Sequence, residues 1–387
     1  MTELTAYTCP RIFDGDTWHD NAALVVADGR IHSIGPVPAG ADTMRLTDGF
    51  LVPGFVDLQV NGGGGHLIGA GTTVDDLRLV CDTHARFGVT ALLPTLITSE
   101  PAVADAVIAA GAAAARQRMP GFLGLHLEGP HLSLARKGAH DPALIRPMTD
   151  ADLVRLERAR AELPHLLVTV ATESVTPEQI ARLVRAGIVV SLGHTDATFE
   201  AVSAAVRAGA SMATHLFNAM SQMGNREPGL VGAALHLGAM SAGIIADGIH
   251  VHPAVLAAAV RAKQGPGHLF LVSDSMSQAG TDLADFPLNG RTIYRRDGAL
   301  RLADGTLAGA DLTLDAAVRY LHLQVGLGLD LVVQMASRFP AEAMADRSDR
   351  GRLRPGDRAD FVHLEPDLRL AATWRAGRRV SAAPWPA

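Results

Sequence analysis

The sequence predicts an α/β fold: a (β/α)8 TIM-type barrel with a small β-sandwich-like domain built from both termini. Three observations carry that prediction. From Leu51 onward, eight short apolar runs alternate with amphipathic segments. Several of those segments stop at a glycine just before the next apolar run, and both chain ends break into short β-like pieces separated by turn residues. Repeated strand-then-helix units build a parallel sheet, and eight of them suffice to close it into a barrel.

Taken in order, residues 5–45 hold β-like pieces at 23–26 and 30–34, punctuated by Asp28-Gly29, Gly35 and Pro36. The candidate barrel strands follow at 51–60, 89–96, 121–127, 166–170, 188–192, 212–216, 242–246 and 269–273. Between them, helical patterns occupy 74–87, 102–118, 150–160, 177–186, 199–208 and 253–263. Gly88, Gly187 and Gly209 fall where a helix gives way to a strand, a position that favours a residue free to take a left-handed cap. Residues 360–380 return to short antiparallel pieces. The expected division is 1–50 with 356–387 for the terminal β domain and 51–355 for the barrel, with Pro53-Gly54 and residues 353–356 near the junctions.

Composition narrows the function. The 387 residues are 48% hydrophobic and 19% charged, enough to bury a large core and without the signature of disorder. A net charge of −6 speaks against a nucleic-acid surface, although local groups can still hold a small anion. The arginines at 375–379 read as a solvated face. The first residues show no basic segment followed by an apolar one, and no apolar stretch is long enough for a membrane span, so a cytoplasmic protein is expected. Cys9 and Cys81 are too few for a disulfide framework or a thiolate metal site and read as buried thiols. Any metal must therefore be held by His and carboxylates.

Four ionisable residues close four of the apolar runs. Glu128 follows Leu-His-Leu, His194 follows Ser-Leu-Gly, His215 follows Met-Ala-Thr and Asp274 follows Leu-Val-Ser. The C-terminal ends of parallel barrel strands converge on one face, so residues far apart in sequence can meet there. A lone His at a strand end is usually structural; four buried ionisable groups at four strand ends need pairing or a metal. Glu128, His194 and His215 supply the donor count of a catalytic Zn²⁺ site, which leaves one position open for water, and Fe²⁺ suits the same donors. His126 shares a strand face with Glu128 and is expected to support it. His252 is expected at an exposed helix start.

The segments Pro53-Gly-Phe-Val-Asp57, His126-Leu-Glu-Gly-Pro130, Lys137-Gly-Ala-His140, Gly193-His-Thr195, Thr214-His-Leu-Phe-Asn-Ala-Met220, Arg226-Glu-Pro-Gly-Leu230, Ala246-Asp-Gly-Ile-His250 and Gly305-Thr-Leu-Ala-Gly309 together resemble the N-acetylglucosamine-6-phosphate deacetylases of the amidohydrolase superfamily. The resemblance spans the barrel in order and is most specific from Thr214 to Leu230. It implies a metal-dependent hydrolase that removes the acetyl group from N-acetyl-D-glucosamine 6-phosphate, with Glu128, His194 and His215 on one divalent ion and Asp274 as the catalytic carboxylate. It further implies substrate contacts from Ala139, His140, Asn218, the Ala219 backbone, Arg226, His250 and Leu307, with Arg226 and His250 on the phosphate. In that family the arginine reaches across a dimer interface, so a homodimer is implied. The blander reading of Arg226 is a surface ion pair with Glu227.

Where many amidohydrolases carry a His-x-His pair for a second metal, this chain has Gln59-Val-Asn61, and neutral amides are poor ligands for such ions. Around the carboxylate the family often reads Thr-Asp-Ala, whereas this chain reads Ser273-Asp-Ser-Met276. The sugar is thus less firmly implied than the reaction: N-acetylgalactosamine 6-phosphate or another N-acyl sugar is an alternative substrate, a cyclic-amide hydrolase is a more distant one, and a non-catalytic sugar-phosphate sensor is the alternative from another class.

Overall fold

The computed structural model describes residues 3–344 and 349–380. Eight parallel strands build the barrel: β1 (Phe55–Val60), β2 (Val89–Ile97), β3 (Leu125–Glu128), β4 (Leu166–Val170), β5 (Val189–Leu192), β6 (Met212–Ala213), β7 (Ser241–Ile244) and β8 (Leu269–Leu271), each paired with its neighbour in sequence. Every residue in them except Ile97 and Val189 is buried. Strands covered on both faces read as continuous apolar runs rather than as alternation, which is why they stand out in the sequence. The seam between β1 and β8 closes just beyond β8, where the Asp274 N–H donates to the Gln59 carbonyl at 3.0 Å and the Asn61 N–H to the Ser275 carbonyl at 2.8 Å.

The helices are α1 (Val74–Ala85), α2 (Pro101–Arg116), α3 (Asp150–Glu162), α4 (Pro177–Arg185), α5 (Phe199–Arg207), α6 (Gly229–His236), α7 (Pro253–Ala262), α8 (Leu314–Leu323), α9 (Leu329–Ala336) and α10 (Arg338–Ala343). Reciprocal capping boxes start α1 with Thr73 and Asp76, α3 with Thr149 and Asp152, and α4 with Thr176 and Gln179. Gly88, Gly187 and Gly209 hold φ values of 84°, 80° and 109°, in the left-handed region expected of them. Helix α6 escaped the sequence reading because seven of its eight residues are buried. A helix apolar all round carries no amphipathic period. No helix among the described residues is long and apolar enough to cross a membrane.

Both chain ends meet in one eight-stranded sheet. Phe50–Pro53 runs parallel to Leu4–Phe13 on one side and antiparallel to Phe361–Leu364 on the other, which knits the N-terminal and C-terminal segments together. Tyr7, Phe361 and Trp374 form its aromatic centre, with ring centroids 4.7–5.5 Å apart. Arg375 corrects the expectation of a solvated arginine face: it is buried, 3.0 Å from the Asp82 carboxylate, and it donates to the carbonyls of Cys81 and Val89. A charge can stay inside here because fixed acceptors surround it, and it ties the terminal sheet to α1 and β2. Arg378 and Arg379 are exposed. Cys9 and Cys81 are buried free thiols.

Between β8 and α8 lies an antiparallel meander of four strands that the sequence reading did not foresee: Asp285–Leu288, Arg291–Arg296, Ala299–Arg301 and Leu307–Ala310. It carries a small apolar cluster of its own, and the Ala310 N–H donates to the Asp274 carbonyl at 2.8 Å, which anchors it beside the mouth of the barrel.

Candidate metal centre and active-site cavity

Glu128 is the last residue of β3, while His194, His215 and Asp274 sit on the turns that leave β5, β6 and β8. Those last three adopt left-handed backbones, with φ of 48°, 31° and 49°; Phe217 and Ala219 in the turn after β6 do likewise at 78° and 49°. Such conformations cost on the order of 1–3 kcal/mol each and persist where the surroundings over-determine them, commonly at functional sites. Here the strand exits turn sharply so that side chains project over the open end of the barrel. All four are buried.

His194 Nε2 lies 3.3 Å from Glu128 Oε1, His215 Nε2 lies 3.1 Å from the same oxygen, and the two imidazole nitrogens are 3.0 Å apart. A tetrahedral ion with bonds of about 2.0–2.1 Å separates its ligands by roughly 3.3–3.4 Å, so the three atoms fit around one such cation with little adjustment. The tautomer agrees. His194 Nδ1 is 2.9 Å from the Arg136 carbonyl, an acceptor only, so Nδ1 carries the proton and Nε2 presents its lone pair. Burial alone would raise the Glu128 carboxyl, but His194 and His215 outweigh it and hold the group well below the usual carboxylate range.

The amides that replace His-x-His support the carboxylates. Asn61 Nδ2 donates to Asp274 Oδ1 at 2.7 Å and Gln59 Nε2 to Glu128 Oε1 at 3.2 Å. Both donors face acidic oxygens, an arrangement that orients the two carboxylates. Burial, followed by the nearby Glu128 charge, pushes Asp274 up to about 6. His140 receives the Thr98 N–H at Nδ1, 3.3 Å away, so its Nε2 carries the proton, 3.9 Å from Glu128 Oε2. Burial and the field of His194 push His140 down to about 3, leaving it a neutral donor. His126 does not bond to Glu128. Its Nε2 meets the Thr169 hydroxyl at 2.7 Å in a chain running on through Thr214 to Ser191, so its place is in the hydroxyl-lined barrel interior.

Asn61, Glu128, His194, His215 and Asp274 face a cavity of ≈ 340 Å³, which Ala139, His140, Asn218, Ala219, His250 and Leu307 also line. His250 Nδ1 donates to Asp247 Oδ2 at 2.6 Å, leaving Nε2 free. Burial would raise Asp247, but His250 and two backbone amides hold it below the ordinary range. Arg226 is the exception. It is exposed and lies outside the cavity of its own chain, and the expected alternative pair with Glu227 is not formed either, because Glu227 Oε1 accepts the N–H groups of Phe199 at 2.7 Å and Gly229 at 3.0 Å. His252 caps α7 from an exposed position, as expected. Sequence reasoning missed Asp247, whose signal was its place three residues before His250, and Arg291, which donates to the Ala139 carbonyl from the meander.

Fold and site together define a metal-dependent hydrolase with its chemistry at the C-terminal mouth of a (β/α)8 barrel. The pattern of the Amidohydrolase family matches residues 50–380, and the chain belongs to that family. It is 45% identical over 363 residues to the N-acetylgalactosamine-6-phosphate deacetylase of Shewanella sp. (strain ANA-3), covering 92% of this chain and 91% of that one. Among solved structures, the N-acetylglucosamine-6-phosphate deacetylase of Pasteurella multocida superimposes with a TM-score of 0.93 at 33% identity, covering 97% of this chain and 99% of the other. A variant of the Mycobacterium smegmatis N-acetyl-D-glucosamine-6-phosphate deacetylase, in complex with N-acetyl-D-glucosamine-6-phosphate, gives a TM-score of 0.91 at 33% identity, covering 98% and 100%.

Proposed function

We propose that this chain hydrolyses the acetamido bond of N-acetyl-D-glucosamine 6-phosphate to give D-glucosamine 6-phosphate and acetate. The observation that carries the reading is the convergence of Glu128, His194 and His215 within 3.0–3.3 Å of one another, in one cavity with Asp274. Those three residues hold a single divalent ion, which we assign as Zn²⁺; Fe²⁺ is the alternative that a metal analysis would reveal. When bound, the ion polarises the acetamido carbonyl and lowers the pKa of water.

Asp274 takes the proton of the attacking water and delivers it to the leaving nitrogen, so one carboxylate serves as base and then as acid. Asn61 fixes one of its oxygens and leaves the other for this transfer. The His140 Nε2–H donates to the carbonyl oxygen as negative charge develops there, a contribution worth roughly 3–4 kcal/mol for a well-placed donor. His250, Asn218 and the Ala219 backbone take the phosphate end, while Ala139 and Leu307 flank the substrate. Arg226, exposed on its own chain, completes the phosphate site of a second copy in a homodimer, where its planar fork of donors suits a phosphate. The substrate is a charged ester that does not cross membranes passively, in keeping with a cytoplasmic enzyme.

A second reading has its own observation: the Shewanella relative at 45% identity is named for the galactosamine epimer. The test is acetate release by the purified, metal-analysed protein from both N-acetylhexosamine 6-phosphates and from their unphosphorylated forms. Release from N-acetylglucosamine 6-phosphate supports the first reading, and preference for its epimer supports the second. Failure with all four would leave the sugar-phosphate sensor as the better description.

A further inference from the structure

The cavity has two chemically different walls. Turns after β6 and β7 supply Asn218, Ala219 and His250, whereas the opposite wall is apolar, made by Ile97 at the end of β2, Met276 beyond β8, and Leu288 and Ala308 of the meander. In an eight-strand circle β6 stands across from β2, with Glu128 on β3 and Asp274 after β8 flanking the apolar side. An amide carbonyl placed between the metal ligands and Asp274 has two substituents to accommodate. The nitrogen leads to the sugar and its phosphate, which the polar wall suits, so the acyl chain must point the other way.

We propose that this apolar wall is the acyl pocket and that Met276 sets the length of acyl chain the enzyme accepts. The inference rests on the deacetylase reading and deepens it. Met276 is 2% exposed and belongs to an apolar cluster with Phe286, Leu288, Ile293 and Ala308, against which Ile97 and Ala139 also pack. Gly309 fixes its position: a Cβ there would fall 2.4 Å from Met276 Cγ and 2.7 Å from Sδ, and the residue's φ of 66° also favours glycine. The methionine therefore occupies space that a side chain at residue 309 would take, and it lines the apolar end of the cavity. Shortening it to alanine deepens the pocket without touching the metal ligands or Asp274.

The test uses metal-loaded enzyme and the N-acetyl, N-propanoyl and N-butanoyl forms of whichever hexosamine 6-phosphate the wild type prefers, read by release of the common amine. Each added methylene should lower the wild-type kcat/KM by roughly tenfold or more, the usual discrimination of a tight apolar pocket. Met276→Ala should raise the butanoyl-to-acetyl ratio by about tenfold or more, while Met276→Leu, of similar volume, keeps the wild-type profile. Ile97→Ala enlarges the same pocket from another strand and should shift the ratio in the same direction, which preserves the test should Met276→Ala fail to fold. An unchanged ratio in folded Met276→Ala, confirmed by its thermal melt, overturns the proposal, as does a wild type indifferent to chain length. No amine from any substrate with the wild type overturns the deacetylase reading itself.

Discussion

At the scale of single residues, the proposed mechanism rests on a division of labour among buried acids. Glu128 faces two imidazole nitrogens and Asp274 faces Asn61, which suits the proposal that one carboxylate holds the metal while the other moves protons. Asp274→Asn should retain the metal, measured by elemental analysis, while kcat falls by roughly 10²–10⁴-fold, the usual contribution of a general acid/base; undiminished turnover would end that assignment. Asp57 gives a separate pH signature. Burial pushes its carboxyl up to about 7 although the backbone amides of Gln59 and Ser273 donate to it. The unfolded chain releases that proton near the ordinary value of about 3.9, so between there and pH 7 the folded state binds more protons and stability falls as pH rises. Asp57→Asn keeps an acceptor but cannot ionise. Relative to wild type it should gain on the order of 2–4 kcal/mol between pH 4 and pH 8 in denaturant titrations, whereas parallel stability curves would show that Asp57 does not titrate in this window.

At the scale of elements, the meander that supplies Leu288, Leu307 and Ala308 to the cavity depends on two-residue turns. Asn289-Gly290 and Asp297-Gly298 hold φ of 48°, 73°, 52° and 72°, the left-handed pairs that join tight hairpins. Replacing Asn289 and Gly290 by alanine should cost roughly 1–2 kcal/mol at each position. Hydrogen exchange should then quicken across residues 285–310 but not in β1–β8, and KM should rise; uniform protection would mean that the turn chemistry is immaterial. Those Asn-Gly and Asp-Gly pairs, with alternating Phe286, Leu288, Ile293, Leu300 and Leu302 around them, were the readable signal for the meander. That signal is faint because each strand is short and partly exposed, so its apolar residues are few. The barrel strands were legible for the opposite reason, since burial on both faces leaves uninterrupted apolar runs. Glu128, His194, His215 and Asp274 were legible because polar groups ending such runs are costly unless used. Asp247, Arg291 and Met276 matter through what they touch, and residue type alone does not disclose a neighbour. Arg375 misled because its side chain lies buried between sequence-distant acceptors rather than among the arginines that follow it.

At the scale of the whole molecule, folding gathers a carboxylate and two imidazoles from strands 66 and 21 residues apart in sequence, His194 lying 66 residues after Glu128 and 21 before His215. The unfolded chain has no comparable site, so a cation that binds the assembled trio stabilises the native state by mass action, about 2.7 kcal/mol when free metal is 100 times Kd. The effect belongs to the entire barrel, because the strands carrying the three residues cannot separate while the ion is held. Chelator treatment should therefore lower Tm by several degrees, and Zn²⁺ should restore it. Glu128→Gln supplies the discriminating control: it preserves shape but replaces the anionic ligand with a neutral amide, a poor partner for such an ion. Its Tm should respond little to chelator or Zn²⁺, a readout independent of catalysis. A shift in that variant as large as the wild type's would place the stabilising ion elsewhere in the molecule and detach the trio from the metal.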